Sequence, residues 1–194
     1  FFKQKTAYEI STRDWSSDVC SSDLKEKDGL MIGICNGFQA LIKLGLVPYG
    51  EIIDTDETCP TLSYNTISRH QSKIVRVRVA TEKSPWLTNV KAGDIFSVPI
   101  SHGEGRILAA DQLVQDLAAK GQILTQYVDE NGLPTNDIQF NPNGSTYAIE
   151  GLISPDGRVL GKMGHAERIG DGLYQNVAGN YDMKLFKSMV EYFK

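Results

Sequence analysis

The 194-residue chain predicts an α/β fold, a layered sheet whose site lies at the carboxyl ends of its strands. Three observations carry this. Strand-like and helix-like segments are mixed along the chain. The apolar run Leu30-Met31-Ile32-Gly33-Ile34 passes through a single cysteine, Cys35, into the helix-like run Phe38-Gln39-Ala40-Leu41-Ile42-Lys43-Leu44. Glycines flank that junction, permitting a strained turn and close backbone approach. Strand, sharp turn with a nucleophile and helix together form a nucleophile elbow, and a thiol at a helix N-terminus is favoured as thiolate.

The elements follow in order. Gly29–Ile34 reads as a buried strand and Asn36–Leu44 as the helix behind it, ended by Gly45 and Pro48-Tyr49-Gly50. Glu51–Asn65 is polar with a Cys-Pro turn and reads as loop. Ile74–Val79 alternates apolar and charged residues, a strand with one solvated face. Ile95–Ile100 is a further strand, running into the glycine-rich bend Ser101-His102-Gly103-Glu104-Gly105. Ala109–Lys120 has helical spacing and stops at Gly121. Ile123–Val128 is a strand and Asp129–Gly144 a long loop. Strands Tyr147–Ile153 and Val159–Met163 are joined by the turn Ser154-Pro155-Asp156-Gly157. Asp182–Phe193 closes the chain as a helix with Met183, Phe186, Met189, Val190 and Phe193 on one face.

Residues 1–24 stand apart. Lys3–Ile10 and Asp14–Leu24 resemble the two halves of a translated sequencing-library adapter, with Ser11-Thr12-Arg13 at the barcode position. The segment has no apolar signal region. It is expected to be disordered and is left out of the fold. Residues 25–194 suit one domain. Net charge is −4, with no basic patch, which argues against nucleic acid as partner. No stretch is apolar enough to span a membrane. Beyond Cys20, only Cys35 and Cys59 remain, too few for a disulfide framework and consistent with a reducing cytoplasm. No Cys/His cluster has metal-ligand spacing, so no metal site is expected.

A thiol nucleophile needs a base, and the base needs an orienting acid. His165 follows a strand, and Glu167 lies two residues on, where an extended backbone puts both side chains on one side. His102, in the glycine-rich bend, reads as lining the site or equally as a structural turn. His70 reads as part of a surface or domain-contact segment.

Gly-Ile-Cys35-Asn-Gly-Phe-Gln39, Ser-His102-Gly-Glu-Gly-Arg, Asn141-Pro-Asn-Gly-Ser145 and Gly-His165-Ala-Glu167-Arg occur in that order. From about Lys25 onward the chain resembles the class I glutamine amidotransferase domain of phosphoribosylformylglycinamidine synthase. Ser154–His165 looks most like the large single-chain versions, in which the glutaminase is C-terminal.

The resemblance implies a three-layer, flavodoxin-like class I glutaminase fold. It implies Cys35 as nucleophile, His165 as general base and acid, and Glu167 as its orienter. Gln39 would bind substrate glutamine, and the Asn36 N–H would form half of the oxyanion hole. Glutamine would be hydrolysed to glutamate, and the ammonia passed to a synthetase domain, absent here, that uses ATP and Mg²⁺ to amidate formylglycinamide ribonucleotide. No cofactor is implied for this domain. Two other readings are a free-standing glutaminase subunit and an inactive fragment or interaction module of the same fold. Two departures stand out. Gly164 and Ala166 occupy positions where the family often has proline. The family's Gly-Gly-Phe-Ser-type loop, which supplies the second oxyanion donor, is expected to be missing together with the first strands.

Overall fold

A computed structural model describes residues 28–194. The readings made for residues 1–24 and for the strands before Gly29 lie outside the described residues.

Among the described residues there are eight strands and three helices of more than one turn. In chain order they are β1 (Met31–Ile34), α1 (Asn36–Leu44), β2 (Thr61–Tyr64), β3 (Gln71–Val79), β4 (Ile95–His102), β5 (Glu104–Leu108), α2 (Asp111–Ala119), β6 (Ile123–Tyr127), β7 (Ile149–Ile153), β8 (Val159–Lys162) and α3 (Leu185–Tyr192). Six strands form one sheet in the order β1-β8-β7-β6-β3-β4, while β2 and β5 pair separately. β1 runs parallel to β8; the other pairs are antiparallel.

Two apolar clusters sandwich the main sheet, which gives the three layers. Alternate residues of the strands feed opposite faces: on β8, Val159 joins one cluster and Leu160 the other. Phe38, Leu41 and Ile42 of α1 and Val114 and Leu117 of α2 pack with Val159, Leu152 and Ile149 on the first face. Trp86, Leu87 and Leu185 pack with Val77, Leu124, Ile153 and Leu160 on the second.

Several elements differ from the sequence reading. The stretch Glu51–Asn65, read as loop, contains β2, and the glycine-rich bend is reduced to Gly103, because β5 begins at Glu104 and pairs with β2. Four-residue strands carry too short an alternation to stand out, and this pair is held by its partner rather than by propensity. Tyr147 and Ala148 take positive φ values of 50° and 57°, so β7 begins only at Ile149. The closing helix turns a different face inward: Leu185 and Ser188 are buried, whereas Phe186, Val190 and Phe193 stay exposed.

Candidate active site

The site is built at the carboxyl ends of β1 and β8. Their parallel register sets Ile34 beside Lys162, so the next residues of each strand emerge together. The Cys35 N–H donates to the Lys162 carbonyl at 2.9 Å. Cys35 has φ 54° and ψ −108°, a conformation that side chains avoid. It caps the N-terminus of α1, as the elbow requires.

Burial pushes the Cys35 thiol up, opposed by the backbone N–H of Asn36 and by the charge of Arg168, with Glu167 adding to the rise. The net direction is upward. This corrects the expectation that the helix terminus makes a resting thiolate: desolvation outweighs the dipole. Sγ has a long contact of 3.9 Å with the Ser101 carbonyl. A thiol held in this way needs a base to take its proton before it can attack a carbonyl carbon.

A histidine stands at the neighbouring strand end. His165 follows β8, its main-chain N–H held by the Pro99 carbonyl at 2.9 Å. Its Nδ1 donates to Glu167 Oε1 at 2.6 Å, and its Nε2 is buried without a protein partner. Glu167 thereby fixes the tautomer in which Nε2 is the free acceptor. Arg168 lies 3.6 Å from the same carboxylate oxygen.

Cys35, Asn36, Gln39, His70, Ser101, His102, Gly103 and Glu104 line a cavity of about 340 Å³. Gln39 reaches across it and donates to the Glu104 carbonyl at 2.6 Å. His70, read from sequence as surface, sits on the rim and meets Ser101 Oγ at 3.1 Å. His102 lines the same cavity but is buried: its Nδ1 donates to Asn65 Oδ1 at 3.1 Å, and Nε2 has no protein partner. Burial lowers its pKa to about 4, the Glu150 charge opposing and His70 and His165 adding to the fall. His102 is thus neutral at pH 7 and cannot compete for the role of a cationic acid.

Sequence reasoning missed what holds this wall. Asn143 Nδ2 donates to the Gly105 carbonyl at 2.7 Å and Ser145 Oγ accepts from the Ile107 N–H at 3.1 Å. The Asn-Pro-Asn-Gly-Ser segment therefore straps β5, and with it the cavity wall, to the sheet. Among the described residues, no group of three or more His, Cys, Asp or Glu side chains is arranged to hold a metal ion, and no helix is long and apolar enough to cross a membrane.

Residues 9–193 match the family described as the CobB/CobQ-like glutamine amidotransferase domain. The chain belongs to that family. It is 35% identical over 160 residues to phosphoribosylformylglycinamidine synthase subunit PurQ of Aquifex aeolicus, covering 82% of this chain and 63% of that relative. It is 34% identical over 195 residues to the PurQ subunit of Methanococcus maripaludis, covering 88% of this chain and 69% of the relative. Among solved structures it resembles PurLQS from Thermotoga maritima, with a TM-score of 0.65 and 26% identity, over 98% of this chain and 77% of that one. The chain thus spans a little under two thirds of the Aquifex subunit. Membership gives the elbow its context: the family is one of glutamine amidotransferases, and the thiol, the histidine and the carboxylate of this chain lie at neighbouring strand ends.

Proposed function

We propose that the chain carries the glutaminase activity of phosphoribosylformylglycinamidine synthase, supplying ammonia for the amidation of formylglycinamide ribonucleotide in purine synthesis. The observation that carries this is the His165–Glu167 contact of 2.6 Å with Nε2 left bare, beside a cysteine at an elbow with φ 54°.

The steps follow from these groups. Cys35 Sγ attacks the side-chain amide carbon of glutamine while His165 Nε2 takes the thiol proton. Negative charge gathers on the former carbonyl oxygen, where the Asn36 N–H supports it. His165 returns the proton to the amide nitrogen, ammonia leaves, and a glutamyl thioester remains. Water deprotonated by His165 then cleaves the thioester, releasing glutamate and the thiol. Gln39 stands in the cavity as a contact for substrate glutamine, with His102 on the wall. The ATP and Mg²⁺ needed for amidation would belong to a synthetase partner, and the setting would be the cytoplasm.

We read the chain as the C-terminal glutaminase of a large single-chain enzyme, on the run Ser154–His165. The name of its curated relatives, a PurQ subunit, favours a second reading as a separate subunit. A synthetase sequence upstream in the same reading frame would decide for the first. Glutamate release from glutamine, lost in Cys35→Ser, tests the activity. No release from a chain carrying its natural upstream sequence would overturn it.

A further inference from the structure

Behind His165 lies a buried charge pair that the steps above do not use. Glu150 on β7 and Lys162 on β8 are both fully buried, with Nζ 3.0 Å from Oε1. Buried ion pairs add little stability over apolar side chains of equal volume. This pair instead ties down one residue, Gly164, through the peptide groups on both of its sides. Glu150 Oε1 accepts the Gly164 N–H at 2.5 Å as well as Lys162 Nζ. Lys162 Nζ also donates to the Gly164 carbonyl at 3.0 Å. The Thr125 hydroxyl holds Glu150 Oε2, and the Met163 N–H donates to the Glu150 main-chain carbonyl at 3.1 Å. Both polar groups of Gly164, the residue before His165, are therefore gripped by the pair.

The fit over Gly164 is close. A Cβ there would lie 2.7 Å from Val98 Cγ2, 2.8 Å from Glu150 Oε1 and 3.2 Å from Lys162 Nζ. Only glycine offers both the donor and the space. Proline would lose the N–H that Glu150 accepts.

We propose that Glu150 and Lys162 are positioning residues for His165: a buried pair that clamps Gly164 and so fixes the backbone that carries the imidazole against Glu167. The proposal rests on the reading of His165 as the base.

The test uses Glu150→Gln/Lys162→Met, which removes both charges together and avoids an unpaired buried ion, and Thr125→Val, which removes only the hydroxyl on Glu150. Imidazole ¹⁵N shifts read the His165 tautomer, and glutamate release gives kcat and KM. Ser84→Ala, which deletes the buried bond from Ser84 Oγ to the Gly157 carbonyl, serves as a control for general loss of stability. The double variant is expected to lose the single Nδ1–H tautomer and to drop kcat at least tenfold with KM within twofold. Thr125→Val should move both in the same direction by a smaller factor, and Ser84→Ala neither. A wild-type tautomer and kcat in the folded double variant would overturn the proposal. If the double variant does not fold, an unchanged tautomer and kcat in Thr125→Val would overturn it. A wild-type chain carrying its natural upstream sequence that shows no glutaminase activity, while its variants still lose the tautomer, would sink the glutaminase reading and leave the clamp standing.

Discussion

Gly33 and Gly161 lie directly opposite each other on the parallel strands β1 and β8, and α1 rests on both. A Cβ on Gly33 would come within 2.7 Å of the Gly37 carbonyl group, and one on Gly161 within 2.1 Å of the Phe38 ring. The missing side chains let the helix that begins at Cys35 sit down on the strands that end at Cys35 and Lys162. Gly161→Ala is expected to destabilise the chain by about 1–3 kcal/mol through overpacking. Phe38→Leu/Gly161→Ala should recover part of that. Denaturant midpoints of the two variants check it.

Cys35 holds a backbone conformation that costs a non-glycine residue on the order of 1 kcal/mol or more. Cys35→Gly is expected to raise stability by about that amount while abolishing glutamate release. A fall in thermal midpoint would show that the elbow carries no strain at this residue.

Glu167 holds the imidazole by one short bond. Glu167→Gln keeps the shape but admits the wrong tautomer, and is expected to lower kcat by about 10²–10⁴-fold with little change in fold, by analogy with the triad acid of serine proteases. Steady-state kinetics with a circular-dichroism check on folding decides this.

His102 has a folded pKa of about 4 against 6.5 when free. A lowered histidine pKa means that the unfolded chain takes up a proton before the folded one does. Its contribution is whole above pH 6.5 and is lost as pH falls from there toward about 4. The loss amounts to about 3 kcal/mol. Unfolding free energies at pH 7 and pH 4.5, in the chain and in His102→Gln, should show a shallower decline in the variant.

The elbow was legible in the sequence because all of its parts are local: an apolar strand, Cys35, two glycines and an amphipathic helix. The contact between His165 and Glu167 was legible for the same reason, the two standing two residues apart after a strand. What escaped is non-local. β2 is stable only against β5, the Asn143 and Ser145 side chains find their partners 38 residues away, and Glu150 meets Lys162 across neighbouring strands. The direction of the Cys35 shift also escaped, since burial of the thiol is a property of the packed site and not of its helix.

The attack of Cys35 on a glutamine held in its cavity can be trapped. A glutamine analogue with a diazoketone or chloroketone in place of the side-chain amide tests it directly, with the modified residue located by mass spectrometry. A single adduct on Cys35 is expected, blocked by excess glutamine and suppressed in His165→Gln. Equal labelling of Cys59, or labelling of Cys35 that glutamine does not prevent, would contradict it.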